Sequence, residues 1–514
     1  MGTDLFSGAL GDGSVDPSPS SVPIFRQSLI AFVAGAALTL AFAPFSLWPM
    51  AIASPAILFS LWQGARPRRA AWLGFLFSAA TFLAGTYWLY ISIHGFGKAP
   101  IAVAILLMLG LVAVMGAYCA FIGYVANRWL PADGALRWLV GLPALWLLVE
   151  WFRGWFLSGF PWLSLGYGGI DSWLAGYAPV SGVYGLSWLF TLCAGALTAV
   201  AFGGRRVRAI SIAVVAGVWS AGWGLRQIEW TRPAGAPMTA ALVQGAVPPD
   251  EKWEHAARER TLRLYADLTV QSYGAQLIVL PEASLPLLAN DLTPYLDVLE
   301  QGAEEKGGTV VVGLLRQEGD GDRYFNSLFA LGTSGDKYDK RRLVPFGEFF
   351  PVPASVREWM RLMTLPYIDM TPGAERQAPL NARGTRIAAT ICYEDAWGSI
   401  GLATLGEAHL MVNVTNDAWF GDSTAAYQHL EIARMRSLEA GRDQMRVAND
   451  GITAIIDARG QVLARIARFQ PAILKGKVVP HAGLTPYARV GNWPVVSGSF
   501  ILLALAIILR RRST

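Results

Sequence analysis

Glu282, Lys340 and Cys392 stand at the ends of three short β-rich runs in the polar middle of this 514-residue chain. The carboxylate lies in Leu280-Pro281-Glu282-Ala283-Ser284 and the amine in Lys337-Tyr338-Asp339-Lys340-Arg341. The thiol closes the run 386–391 and opens Cys392-Tyr393-Glu394. A thiol attacks only once deprotonated, and a nearby base or cation lowers that cost. Glu282 can take the proton as general base and return it to a leaving group. Lys340 can steady the thiolate and then the oxyanion of a tetrahedral intermediate. The backbone N–H of Tyr393 offers a second oxyanion donor. No histidine lies beside these segments, and this chemistry needs none.

Cysteine usage isolates the candidate. Cys119 and Cys193 fall in apolar stretches, which leaves Cys392 without a partner in the polar region. An unpaired thiol there is either reactive or a small buried hydrophobe.

The elements that must position these groups are legible. Strand patterns cover 238–244, 276–280, 309–314, 325–331, 386–392, 410–415, 444–448 and 453–457. Helical spacing covers 254–272, 294–305 and 424–441, the last capped by Ser423 or Thr424 and stopped by Gly441. Apolar strands alternating with helices indicate a layered α/β domain. The five histidines show no metal-ligand spacing, and phosphate-binding loops are absent. Asn413-Val414-Thr415 matches a glycosylation acceptor, but it lies inside a strand-like run.

Two hydrophobic blocks flank this region. The chain is 53% hydrophobic and 15% charged, and between Gln27 and Ile228 its only carboxylates are Asp133, Glu150 and Asp171. Apolar runs at 27–45, 47–64, 70–92, 99–126, 136–152, 180–203, 208–225 and 495–509 predict eight membrane spans. Arg66, Arg68, Arg69, Arg128, Arg137, Arg205, Arg206, Arg208 and Arg510 to Arg512 then fall on one side. That sorting predicts cytoplasmic termini and an outward-facing middle region. The domains read as a disordered tail at 1–25, a seven-helix membrane domain at 26–230, a catalytic domain at 231–490, and an eighth helix with a basic tail at 491–514. The net charge of +5 sits in membrane loops, which argues against a nucleic-acid partner. Apart from Glu150 the spans lack the embedded charges of a transport path.

Six segments in order resemble the carbon–nitrogen hydrolase (nitrilase) superfamily: Gln244 with Lys252-Trp253, Pro281-Glu282, the Lys340 segment, Val344 to Phe349, Cys392-Tyr393-Glu394, and Asn413 to Gly421. Within an eight-span frame, the chain resembles the membrane-embedded branch that acylates lipoproteins. The resemblance implies an αββα sandwich carried outside a multi-pass helical domain, with a Glu282–Lys340–Cys392 triad. It assigns Glu348 to orienting the lysine and gives Tyr393 and Glu394 to the nucleophile's turn. It further implies transfer of an acyl chain from a phospholipid, phosphatidylethanolamine, through a cysteine thioester to the diacylglyceryl-cysteine of a lipoprotein. The setting would be the periplasmic face of a bacterial inner membrane, with a monomeric protein and no cofactor.

Some readings stay open. Trp253 and Trp419 could flank an acyl chain or pack in a core. The stretch 349–367 could be core or an apolar lip for lipid tails. Aromatic residues in 154–179 read as an interfacial belt. A membrane-anchored amidase and a non-catalytic lipoprotein-binding protein are the competing functions.

Overall fold

A computed structural model describes residues 24–252, 254–319, 321–332, 336–349 and 369–513. The tail 1–25 lies outside this set except for Ile24 and Phe25, Trp253 lies outside it, and so does the stretch 349–367 except for Phe349.

All eight apolar runs are helical, but they are not equivalent. Among the described residues five helices are long and apolar enough to cross a membrane: Ile24–Ala41, Ile101–Trp129, Trp173–Phe202, Arg205–Leu225 and Trp493–Arg510. A sixth arises if Pro67–Gly85 and Trp88–Phe96, bent by 54° at their break, form one span. The remaining two predicted spans are helical but shorter or more charged than these six. Met50–Trp62 has 13 residues, roughly 20 Å of helix. The Leu136–Arg153 segment begins with a π-turn and buries three charges, Arg137, Glu150 and Arg153. Pro67–Gly85 and Ile101–Trp129 approach closely through glycine. An added Cβ at Gly74 would sit 2.5 Å from the Cys119 carbonyl oxygen, and one at Gly123 2.4 Å from that of Ala70. Small residues permit this contact where lipid gives no hydrophobic drive.

The polar region folds into two six-stranded sheets. The first runs in the order Ala472–Val478, Met238–Gln244, Leu277–Val279, Thr309–Gln317, Tyr324–Ala330, Lys337–Asp339. The second runs Val462–Arg465, Ala454–Ile456, Gln444–Ala448, Leu410–Thr415, Thr385–Ile391, Leu380–Ala382. Alternation decides which side chains meet. Leu242, Val279 and Val311 of the first sheet pack on Ile387, Val412 and Val447 of the second. The opposite face of the first sheet is covered through Val243, Ile278, Val310 and Val312 by helices His255–Val270 and Thr293–Glu304. The arrangement is the αββα sandwich expected from the sequence, helices outside and sheets within.

Helix Ala425–Ala440 covers the second sheet and ends, as the sequence indicates, at Gly441 in the left-handed region with φ 63°. The Ser423 hydroxyl accepts from the Ala425 N–H at 3.3 Å at its start. This helix is buried on nearly every side, because its far face meets the apolar helices. Gln428 accepts from the indoles of Trp88 and Trp162 at 3.2 and 2.8 Å. Glu439 accepts from the Val183 N–H at 2.7 Å, and Glu431 from the Ala43 N–H at 3.2 Å.

Burial pushes the Glu431 carboxyl from its ordinary 4.5 up to about 8; the Ala43 N–H and Arg434 oppose the shift and Asp171 adds to it. The folded state therefore keeps a proton that the unfolded chain releases near its ordinary value. Stability is lost as pH rises from that value toward 8, by at most about 1.4 kcal/mol per pH unit for one group. Melting temperatures of the detergent-solubilised protein should fall between pH 5 and 8, and Glu431→Gln should flatten part of the slope. An unchanged slope in the variant would refute this assignment.

Candidate active site

The candidate residues gather because each follows the C-terminal end of a strand. Leu277–Val279 leads to Glu282, Lys337–Asp339 to Lys340, and Thr385–Ile391 to Cys392. Leu410–Thr415 runs parallel to Thr385–Ile391 with Val414 opposite Ile391, so Thr415 to Asp417 emerge beside the thiol. Glu282 is held close to the Thr309–Gln317 strand, which needs glycine there. A Cβ on Gly313 would come within 2.4 Å of the Pro281 carbonyl oxygen and 2.9 Å of the Glu282 Cα.

Lys340 is buried and donates from Nζ to Glu282 Oε1 at 3.1 Å and to Glu348 Oε1 at 2.8 Å. The basic run around it is therefore not a uniform solvated face: Lys337 is exposed, whereas Tyr338 and Lys340 point inward. Asn326 Nδ2 donates to the same two carboxylates at 2.7 and 3.3 Å. Glu348 Oε2 also accepts from the Val344 N–H at 2.8 Å, which fixes its loop. Burial disfavours the Lys340 ammonium, but Glu282, Glu348 and Cys392 together hold it well above the usual lysine range. Lys252, the buried neighbour of Trp253, places Nζ 3.5 Å from the Glu282 carbonyl oxygen, and burial lowers it to about 8. Gln244 lies elsewhere, bonded to the carbonyls of Ala467 and Gln470.

Cys392 is half-buried and takes φ 54°, a left-handed backbone that few non-glycine residues adopt. Strain of this kind recurs where a side chain must be presented at a sharp turn. Burial pushes its thiol up, and the Glu282 carboxylate adds to this; Lys340 and the Thr415 hydroxyl pull it back. Burial and the Glu282 charge thus favour the thiol over the thiolate.

Glu394 is fully buried and ties the nucleophile's turn to the lysine's segment. Its Oε2 accepts from the Ile391 N–H at 2.8 Å and the Tyr338 hydroxyl at 2.9 Å. Its Oε1 accepts from the N–H groups of Arg341 and Arg342 at 2.7 and 3.1 Å. Tyr393 points the other way, and its hydroxyl donates to the Gly159 carbonyl at 3.3 Å. The Trp397 indole donates to the Gly154 carbonyl at 2.7 Å. These contacts correct the belt reading of 154–179. Trp155 and Trp173 are exposed, but Trp162 and Tyr167 are buried beneath the Cys392–Ala396 turn. Trp419 is exposed; its carbonyl accepts from Ser92 Oγ at 2.8 Å and its ring meets Phe96 edge-on.

Behind the thiol lies a layer of Asn413, Asp417, His429 and Arg446; the sequence marked Asn413 to Gly421 as a family-like segment but gave none of the four a role here. Contrary to the expectation that no histidine sits near this chemistry, His429 Nε2 lies 3.2 Å from the Cys392 carbonyl oxygen. Asn413 is fully buried with its amide 3.3 Å from the same oxygen, which rules out glycosylation of the folded chain. The signal was present in the strand's alternation. Leu410, Val412 and Val414 face the other sheet, so Asn413 and Thr415 face helix Ala425–Ala440. Among the described residues no cluster suits a metal ion.

Residues 239–485 match the carbon–nitrogen hydrolase family, the class that this sandwich and its strand-end cluster define. Residues 34–196 match the apolipoprotein N-acyltransferase N-terminal domain. The chain is 39% identical over 489 residues to the apolipoprotein N-acyltransferase of Methylococcus capsulatus, covering 95% of this chain and 97% of that one. It is 40% identical over 498 residues to that of Nitrosomonas europaea, covering 95% and 99%. The chain belongs to the apolipoprotein N-acyltransferase family. A solved carbon–nitrogen hydrolase from Helicobacter pylori aligns with 47% of this chain and 89% of its own at 15% identity and TM-score 0.37.

Proposed function

We propose that this protein moves a fatty acyl chain from a phospholipid, phosphatidylethanolamine, to the α-amino group of the diacylglyceryl-cysteine of an apolipoprotein, through a thioester on Cys392. The observation that carries this reading is the buried cluster of Glu282, Lys340 and Glu348 gathered about a half-buried thiol whose turn rests on the apolar helices. Glu282 takes the thiol proton as the Cys392 sulfur bonds to the ester carbon. Lys340 and the Tyr393 N–H receive the oxyanion. Collapse breaks the ester C–O bond, Glu282 returns the proton to the departing oxygen, and lysophospholipid leaves. The acceptor's neutral amine then attacks the thioester, the C–S bond breaks, and the amine's proton passes through Glu282 to the sulfur. Metal and cofactor have no part in these steps.

The domain limits 26–230, 231–490 and 491–514 belong to this proposal, as does the topology. Eight crossings put both termini in the cytoplasm and the thiol at the periplasmic surface of the inner membrane, because the loop arginines then share one side. Trp419, exposed beside the bent Trp88–Phe96 segment, flanks the acyl chain, a role the sequence also suggests for Trp253. The protein acts as a monomer.

Intact-protein mass spectrometry after incubation with a defined phospholipid tests the reading. A fatty-acyl increment on the wild type, absent from Cys392→Ala and discharged by a diacylglyceryl-cysteinyl peptide, is expected. Discharge to water alone would make the protein a hydrolase, and no increment would remove Cys392 from the chemistry.

A further inference from the structure

We propose that His429 is a positioning residue that polarises the Cys392–Tyr393 peptide unit and so strengthens the oxyanion-binding N–H of Tyr393. The proposal rests on the reading of Cys392 as the acyl-carrying nucleophile. His429 sits fully buried on helix Ala425–Ala440, between two oxygen acceptors. Its Nε2 is 3.2 Å from the Cys392 carbonyl oxygen, and its Nδ1 is 2.8 Å from Asp417 Oδ1.

Asp417 can only accept. Arg446 donates to its Oδ2 at 2.9 Å and the Thr415 hydroxyl to its Oδ1 at 3.1 Å. Although burial disfavours the charge, His429 and Arg446 hold this carboxyl down to about 2. With an acceptor at each nitrogen, the ring satisfies both only by donating from both. Arg446 and Asp395, 3.9 Å apart, complete the buried polar set around Asp417 and His429.

The consequence follows from one peptide plane. The Cys392 carbonyl and the Tyr393 N–H belong to the same trans amide, so they point in opposite directions. A ring N–H donor on the oxygen, joined by Asn413 Nδ2 at 3.3 Å, draws electron density toward it and leaves the N–H more positive. The same two donors hold the carbonyl of a residue at φ 54° and keep the plane from rotating. His429 exchanges no proton with substrate. It sets the strength and aim of a donor placed where charge develops, which is where preorganisation acts on rate.

The test compares two reactions of one thiol. Acylation by phospholipid passes through an oxyanion, whereas alkylation by iodoacetamide does not. Both are read by mass spectrometry of the Cys392 peptide. His429→Ala should slow acylation by about 10- to 100-fold, part of what a whole oxyanion donor supplies, with alkylation close to wild type. His429→Gln keeps a neutral N–H at the Nε2 position and should recover part of the loss. Acylation at the wild-type rate in both variants overturns the inference. So does a parallel fall in both reactions with no recovery in His429→Gln, since His429 would then merely build the site. An absence of any adduct on the wild type would overturn the nucleophile reading itself, and this inference with it.

Discussion

Glu282→Gln should slow acyl-adduct formation on Cys392 by about 10²–10⁴-fold, the usual contribution of a general acid–base group, in a protein that still folds. The amide oxygen can keep the hydrogen bonds that Glu282 Oε1 now accepts from Asn326 at 2.7 Å and Lys340 at 3.1 Å. It cannot take the thiol proton. Two effects oppose each other here. Removing the carboxylate also removes a charge that pushes the Cys392 thiol up, so the thiolate becomes easier to reach. Burial remains the larger cause of that shift, and a thiolate without a proton donor still cannot expel an alkoxide. Loss of the acid–base group therefore wins. The variant should show a distinctive split, with iodoacetamide alkylation shifted to lower pH while acylation is slowed. An adduct formed at the wild-type rate would remove Glu282 from the mechanism.

Lys340→Met should damage both stability and rate. Among the described residues, Lys340 is the cation that bridges Glu282 and Glu348. Breaking a buried charge set by deleting one partner typically costs about 3–5 kcal/mol, because the remaining charges lose their compensation. The rate should fall by about 10²–10³-fold or more, as for loss of an oxyanion donor. Adding Glu348→Gln separates the two effects. The double variant carries one uncompensated carboxylate fewer, so its melting temperature should rise above that of Lys340→Met while acylation stays low. Recovery of acylation in the double variant would mean that the lysine only balances charge.

The sequence exposed those groups whose neighbours are local and hid those whose neighbours are not. Glu282 and Cys392 each follow an apolar run that stops at a polar residue, whereas Lys340 follows the polar run Lys337–Asp339 and stood out through the order of the family-like segments. Edge strands were harder. Lys337–Asp339 and Leu380–Ala382 have three residues each, and Val462–Arg465 alternates burial too weakly to register as a strand. His429, Asp417 and Arg446 come from a helix, a turn and a strand, and only the sandwich brings them together. Helix Ala425–Ala440 buries residues on both faces, so its Gln428, His429, Glu431 and Glu439 do not mark a solvent side as polar residues usually do. The membrane segments were located by hydropathy, but hydropathy does not see the bend between Gly85 and Trp88 or the shortness of Met50–Trp62.

The same helix touches the Cys392 carbonyl through His429 and the indoles of Trp88 and Trp162 through Gln428, one residue earlier. This adjacency constrains how the protein can evolve. Two indole donors converge on a single buried amide oxygen, so replacing Gln428 by an apolar residue takes that acceptor from Trp162 and leaves Trp88 only the Gly85 carbonyl at 3.2 Å. Losing Trp162 opens a hole directly beside His429, whose ring lies 5.4 Å from its own. Trp88, Trp162 and Gln428 can drift only in concert, and chimaeras joining one homologue's helices to another's sandwich will work only where all three are inherited together.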